Sequence, residues 1–460
     1  MTPAVEPSPV RAGGRERRTS TPPGAVHRLG RSRIALWAAF AVVHGWLALL
    51  GVVLIPARGF WDVDLYRWWA TLALDGGRWP VLDDPWVYPA GALGPVLAPA
   101  LTGVRSTSGY ATGWCVMVTV LDAVAVAVLL RASAARAGAR PQPTATGTGG
   151  PDPRGVPVGA WWWLAFLPLL GPVAMGRLDA VVAPVTVVAL AVAVRRPRVA
   201  AALLTVGAWI KVAPGALVVP LAAAARRPVR DVVVPAAVVC AAVVGLVAAG
   251  GGLARVTGFL TEQSERGLQL ESVAATPWVV AGLVDDRVRI EFDTEIVTWE
   301  VAGPGTGVAL AVLDVALPLA LGALGALLVV ARRRPQTDPV AMLLWGSLAA
   351  SVLLIAANKV GSPQFVGWLA APVAVALTVA PSRAWSRVGA AVLGTAALTQ
   401  LVFPLGADGL PTGDPAVTAV LVVRNAALVA LAVVAVRGVM RSVVRDVVPG
   451  AAAGTVGRGS

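Results

Sequence analysis

Lysine is almost missing from this chain: of 38 basic residues only Lys211 and Lys359 are lysines, and the rest are arginines. Histidine and cysteine are as scarce, with two of each in 460 residues. Cys115 and Cys240 fall in separate apolar stretches, and His27 lies far from His44 in sequence. That excludes a disulfide framework and leaves no His/Cys ligand set for a metal. Charge is thin as well, at 14% of residues against 57% hydrophobic, with a mean hydropathy of +0.74. A soluble domain cannot cover its surface with so few polar groups. These shortages exclude a soluble enzyme, a disordered chain and a single-anchor receptor with a large outer domain. No Gly-rich nucleotide loop follows a strand-like segment, so nothing points to a nucleotide donor.

What is present is apolar sequence in long runs. A helix crossing a ~30 Å hydrocarbon core takes roughly 20 apolar residues, which allows on the order of ten crossings. The net charge of +13 is dealt out in short arginine runs between those stretches, as the positive-inside rule distributes it, rather than gathered on one face for nucleic acid. Residues 1–33, rich in Pro, Gly, Ser and Arg, read as a cytoplasmic tail, residues 34–440 as a polytopic membrane domain, and residues 441–460 as a second cytoplasmic tail. The run from Ile34 to about Ile55 is too long for a signal-peptide core and is expected to be a first span running outward.

Arg195, Arg196 and Arg198, then Arg226, Arg227 and Arg230, then Arg332–Arg334 and Arg383/Arg387 all fall on one side of the alternation, with both termini. Between the first two groups the apolar stretch is too short for two full spans. A pair of half-helices broken around Lys211 and Pro214 closes the parity and is expected to line a cavity, because broken helices need protein or water over the freed backbone. The whole is an all-α bundle of about 11–13 transmembrane segments. On its outer face a short amphipathic helix is expected around Leu65–Leu74. A β-hairpin is expected where Arg287–Phe292 and Ile296–Val301 alternate about Asp293-Thr294-Glu295.

Ionisable groups at membrane depth are costly and become functional candidates by default. Asp62 and Asp64 directly follow the first span. Each reads either as a solvated loop carboxylate or, beside Trp61 at the hydrocarbon edge, as a general base whose basicity is raised by desolvation. Glu262 and Glu271, in the second outer segment, read as polar caps of an interfacial helix or as reserve bases. Lys359 opposes the positive-inside rule and precedes a helix opened by Pro363, so it reads as an anion site or as an interfacial anchor. Lys211 divides evenly between a functional and a snorkelling role. Arg424, mid-span, requires a partner, for which Asp122 and Asp314 are the in-span candidates, and His44 reads as a helix-packing histidine.

Six motifs occur in order: Asp62-x-Asp-Leu-Tyr66, Asp83-Asp84-Pro-Trp-Val-Tyr88-Pro89, Gly176-Arg-x-Asp179, Ile210-Lys211-x-x-Pro214, Arg266-Gly-Leu-Gln-x-Glu271-Ser272 and Asn358-Lys-x-x-Ser362-Pro-Gln-Phe365. Together they resemble glycosyltransferase family 87, polytopic GT-C enzymes of actinobacteria that include polyprenol-phosphate-mannose-dependent mannosyltransferases. The resemblance runs over roughly residues 34–440. It departs at Ala90, where many members carry a second proline, and at Phe365, where a tyrosine is common.

The resemblance implies a hexosyltransferase of the plasma membrane with an outward-facing site. It would move a sugar, mannose above all, from a polyprenyl-phosphosugar donor to a lipid or glycan acceptor with inversion and without a metal or other cofactor. It also implies that the first-loop aspartate is the catalytic base, which the Asp-x-x-x-Tyr spacing maps to Asp62, with Asp64 as runner-up. Lys359, Arg266, Arg177 and Lys211 are then expected at the donor phosphate, and Tyr66, Asp84, Tyr88, Asp179, Gln269, Glu271 and Gln364 around the substrates. The competing class is a lipid or polysaccharide flippase, which explains the bundle and the broken helix but not the carboxylates and tryptophans gathered in the first outer loop.

Overall fold

The computed structural model describes residues 30, 32–138, 155–264, 266–294 and 296–443. Most of the two expected tails, and the Pro/Gly/Thr-rich loop before Val158, lie outside these residues. Among the described residues, seven helices are long and apolar enough to cross a membrane: α1 (Arg33–Leu54), α4 (Thr107–Arg136), α9 (Val229–Ala249), α12 (Thr306–Arg332), α13 (Pro339–Ala356), α15 (Arg383–Leu405) and α16 (Pro415–Ser442). Six apolar helices are shorter: α3 (Ala90–Thr102), α5 (Val158–Ala174), α6 (Asp179–Val192), α7 (Pro197–Ile210), α8 (Ala213–Ala224) and α14 (Pro363–Val379). Three more lie in the connections: α2 (Trp61–Leu74), α10 (Gly258–Ser264) and α11 (Thr276–Ala281). The chain is thus an all-helical membrane-type fold with one small sheet.

That sheet is the expected hairpin. Strand β1 (Arg289–Asp293) pairs antiparallel with β2 (Thr298–Ala302), Arg289 opposite Ala302 and Asp293 opposite Thr298. The segment before it adds an edge: Val301 N–H donates to the Leu268 carbonyl at 2.8 Å and Leu270 N–H to the Trp299 carbonyl at 3.0 Å. A small apolar cluster of Leu268, Leu270, Val279 and Val301 with Val402, Leu410 and Leu421 seats this unit on the ends of α15 and α16. The end of the bundle that carries it is called the hairpin end below. The turns at the opposite, far end carry Arg195, Arg196, Arg198, Arg226, Arg227, Arg230 and Arg332–Arg334.

Two local departures bear on function. The amphipathic helix in the first loop begins at Trp61 rather than Leu65, so Asp62 and Asp64 sit in its first turn and are not loop residues. Carboxylates are favoured there by the helix dipole, which explains the earlier start. The break between α7 and α8 falls where it was expected: Lys211 is extended (φ −151°, ψ 130°), and Pro214 lies in the first turn of α8. A proline four residues after Ile210 cannot donate to its carbonyl, so α7 must end there. At 14 residues α7 is ~21 Å long and does not span a bilayer. Gly91, at the start of α3, rests against the last turn of α7. A Cβ there would stand 2.8 Å from the Trp209 carbonyl oxygen, so only glycine allows α3 to pack against the break.

Candidate active site

The break in α7–α8, the first turn of α2 and the α5–α6 turn meet at the hairpin end. Arg177, in that turn, forms an ion pair with Asp62, its Nη1 2.9 Å from Oδ1. Two residues on, Asp179 accepts from Trp368 Nε1 at 2.6 Å and faces Lys211 Nζ at 3.6 Å. Lys211 lies over the ring of Tyr88 at 4.9 Å and the ring of Phe365 at 5.8 Å, and Phe365 stacks on Trp368 with centroids 4.1 Å apart. The Tyr66 hydroxyl accepts from Leu178 N–H at 3.3 Å and bonds the Tyr88 hydroxyl. Since Tyr66 is one helical turn after Asp62, α2 anchors the face that carries both against the α5–α6 turn. Two carboxylates and two cations thereby alternate, Asp62–Arg177 and Asp179–Lys211, inside an aromatic wall.

Asp62 keeps a side-chain exposure of 17%. Burial pushes its carboxyl above the usual aspartate value, opposed by Arg177 first and Lys211 second. The result is a carboxylate that holds a proton more readily than one in water. Asp64 is different: Arg67 Nε donates to it at 2.7 Å, its side chain is 47% exposed, and that hydrogen bond holds its carboxyl below the usual range. It points away from the cluster, as the 100° step per helical residue requires. Asp84 is likewise outside, bonded to exposed Arg78 at 2.7 Å. The structure therefore does not bring Asp64 or Asp84 to the site.

The segment that precedes the hairpin packs against the loop that carries Lys359. Gln269 N–H donates to the Lys359 carbonyl at 3.0 Å, and its side-chain Oε1 accepts from Gly361 N–H at 3.2 Å. A Cβ on Gly361 would stand 2.1 Å from Ser272 N, so glycine permits the two loops to touch. Gln364 Oε1 accepts from Ser362 Oγ at 2.7 Å. Arg266, three residues before Gln269, is half-buried, close enough to Tyr88 and Lys211 to act on their charge, and its Nε has no hydrogen-bond acceptor. Glu271 turns inward to Arg424, whose Nη1 lies 3.2 Å from its carboxylate and whose Nη2 donates to its carbonyl at 2.6 Å. Asn425 adds bonds to the Ser272 carbonyl at 3.2 Å and Thr276 Oγ1 at 2.7 Å.

Arg424 thus finds its partner in the outer segment and not in Asp122 or Asp314. Asp122 instead takes His44 Nε2 at 2.9 Å, making His44 the satisfied packing histidine it was expected to be. Asp314 takes Lys359, whose Nζ is 2.9 Å from Oδ1. Lys211 does not snorkel to the far end; Asp179 and the two rings hold it. Trp368, which orients Asp179, was not singled out from the sequence, although it lies one turn beyond Phe365 on the same helix.

α9 packs on α7, and α12 packs on α8, α13 and α16, so the two helices flank the α7–α8 break. At the far end Arg332 donates to the Ala222 and Ala223 carbonyls at 2.9 and 3.0 Å, capping α8, and Val229–Val233 packs on α7 and α8. Toward the hairpin end Gly250 and Gly252 lie against Leu82, with Arg255 donating to the Leu82 carbonyl at 2.7 Å, while Trp278 Nε1 donates to the Pro304 carbonyl at 2.9 Å ahead of α12. The side chains these helices leave exposed include Leu246, Val308, Val312 and Val219, all apolar.

Such an arrangement can accept an anion carried on an apolar chain, and it presents a buried base beside that anion. Among the described residues no group of three or more His, Cys, Asp or Glu side chains is placed to hold a metal ion. No model of a known protein family matches the chain, and no curated protein matches it.

Proposed function

We propose that the protein is a membrane glycosyltransferase that moves a hexose, mannose above all, from a polyprenyl-phosphosugar to a lipid or glycan acceptor, with inversion. The reading rests on one observation above the rest: Asp62, only partly exposed, is paired with Arg177 and neighboured by Lys211, beside the α7–α8 break that α9 and α12 flank. An acceptor hydroxyl gives its proton to Asp62 while its oxygen bonds to the anomeric carbon. The bond from that carbon to the phosphate oxygen breaks on the opposite side, and the polyprenyl phosphate leaves with an added negative charge. Lys211, Arg177 and Arg266 supply the positive field where that charge develops. Asp179 and Trp368 hold Lys211 in place. The order of the six motifs, and the resemblance to glycosyltransferase family 87 that they carry, support the same reaction.

A flippase would need a route to the far end of the bundle, where Arg332 caps α8 and Val229–Val233 packs on α7 and α8. Purified protein supplied with a radiolabelled polyprenyl phosphomannose and a crude lipid or glycan acceptor fraction should release polyprenyl phosphate and label the acceptor. Movement of the intact phosphosugar across a vesicle, without bond cleavage, would sink the transferase reading.

By the positive-inside rule the arginine-rich turns at the far end support a cytoplasmic reading of that end and of both termini, with the site on the outer side of the plasma membrane. In a background with Cys115 and Cys240 replaced by Ala, a cysteine at Thr294 in the hairpin should react with an impermeant thiol reagent added to intact cells. A cysteine at Gln336, in the turn after Arg332–Arg334, should react only after the cells are opened. The reverse pattern would invert the orientation.

A further inference from the structure

Arg424 has no part in the reaction as written. It stands on α16, nine residues or about 14 Å inside the hairpin-end terminus, and its side chain is 3% exposed. A cation at that depth is costly and becomes a functional candidate for that reason. It pairs with Glu271, whose backbone carbonyl also accepts from Arg424 Nη2. Fastening the segment does not require the charge. The next residue, Asn425, already bonds the Ser272 carbonyl and Thr276 Oγ1, and Leu268 and Leu270 share a small apolar cluster with Val402. A buried ion pair, moreover, seldom stabilises a fold more than apolar side chains of the same volume.

What the pair adds is a second carboxylate beside the Asp62–Arg177 pair. The guanidinium of Arg177 lies over the ring of Phe403 at 5.8 Å, and Phe403 follows the Val402 that shares its cluster with Leu270. Arg177 and Glu271 thus flank the hairpin end of α15, and Arg177 is close enough to act on the Glu271 charge. Four charges follow one another across four elements: Asp62 on α2, Arg177 in the α5–α6 turn, Glu271 before the hairpin and Arg424 on α16. Arg177 stands between two carboxylates, and Arg424 occupies one of them. The other charged groups that face Asp62 are Lys211 and Asp179, which hold each other, with Tyr66 and Tyr88 nearby. Asp64, on the same helix as Asp62, is taken by Arg67. Glu271 faces Arg424 and Arg177.

We propose that Arg424 is a positioning residue for the general base: by holding Glu271 it leaves Arg177 to Asp62, and so keeps the Asp62 carboxylate ready to take the acceptor's proton. The proposal takes the role of Asp62 from the glycosyl-transfer reading, but its content is the state of one carboxyl, which is measurable without turnover. Without Arg424, Glu271 competes with Asp62 for Arg177, and Asp62 takes up a proton at higher pH. Without the Glu271 charge, Arg177 serves Asp62 alone, and Asp62 keeps its proton only to lower pH. A pair kept for structure alone would give both substitutions the same effect, since each breaks the same bridge.

The test is a pH titration of the Asp62 carboxyl by infrared difference spectroscopy on the full chain in lipid nanodiscs, each protein being compared with its own Asp62→Asn counterpart. Arg424→Gln should move the midpoint up by about half a pH unit and Glu271→Gln should move it down by a similar amount, the coupling usual within one salt-bridge network. In turnover the same shifts should appear as about a threefold loss and an equal gain in rate at a fixed pH on the rising limb. The double variant should follow Glu271→Gln, because Arg424 acts through the carboxylate. It leaves neither charge unpaired and makes the comparison if Arg424→Gln is not recovered folded. Arg424→Lys keeps the charge without the planar fork and should hold the midpoint near that of the unaltered protein. Midpoints that move in the same direction, or do not move, would overturn the proposal. Opposite shifts in a protein that transfers no sugar would remove the glycosyl-transfer reading and leave the coupling of Arg424 to Asp62 standing.

Discussion

Asp62→Asn should lower the rate of sugar transfer by ~10²–10⁴-fold, the usual cost of losing a general base, while donor affinity stays close to that of the unaltered protein. The amide keeps the shape of the side chain and removes the proton acceptor. On the proposed reading the donor phosphate is held by cations on other elements, so its binding should not depend on the carboxylate. Asp64→Asn should remain within a few-fold of full activity, because Asp64 faces Arg67 at the surface and no residue of the cluster.

The pH profile provides an independent reading of the same group. Burial raises the Asp62 carboxyl and Arg177 opposes the rise. The base is active when deprotonated, so the rate should climb with pH through a limb above the ordinary aspartate range. Arg177→Gln removes the largest opposing cation, which raises the carboxyl further and moves the limb to higher pH. A dead Asp64→Asn beside an active Asp62→Asn would shift the register by two residues. Full activity in both would move the base to Glu262 or Glu271, although Glu271 is already held by Arg424.

Lys211→Gln should cost donor affinity on the order of 30-fold or more, since truncating one partner of a buried, hydrogen-bonded charge pair costs ~2–5 kcal/mol. Three features single out Lys211 among the basic residues. It ends a helix that cannot continue, it lies over two aromatic rings, and its counter-ion Asp179 is pinned by Trp368 and so cannot follow a substrate away. Lys211→Arg keeps the charge but not the compact geometry and should recover part of the affinity. Arg333→Gln, at the far end, should change neither affinity nor rate. If Lys211→Gln and Arg333→Gln act alike, Lys211 serves only to neutralise Asp179. Thermal unfolding of each variant separates that case from loss of the fold, because an unpaired Asp179 would lower the unfolding temperature without selectively affecting the donor.

Several elements were readable because they depend on local rules. The long apolar helices follow from run length, the hairpin from alternation about Asp293-Thr294-Glu295, and the α7–α8 break from a stretch too short to cross twice with Pro214 inside it. The scarcity of lysine drew attention to Lys211 and Lys359, and each is held by a carboxylate from another element, Asp179 and Asp314. What failed was assignment of partners. Arg424 was matched to Asp122 or Asp314 because all three lie within spans. Its actual partner, Glu271, comes from a polar segment that folds down 153 residues away in sequence. Asp62 and Asp64 looked equivalent two residues apart, yet a helix rather than a loop beneath them turns one inward and the other to water.

The sequence alone determined the solvent of this protein and the order of its helices, because hydropathy, proline and charge act over a few residues and need no distant contact. Which ionisable groups share one site was decided only by the tertiary structure. A charge in a low-dielectric interior is stabilised by whatever partner the packing brings within a few ångströms. Arg177 to Asp62, Lys211 to Asp179, Lys359 to Asp314 and Arg424 to Glu271 each join elements that no periodicity links. The flanks of the broken pair are of the same kind: α9 and α12 are both ordinary apolar helices, and only packing sets one on α7 and the other on α8.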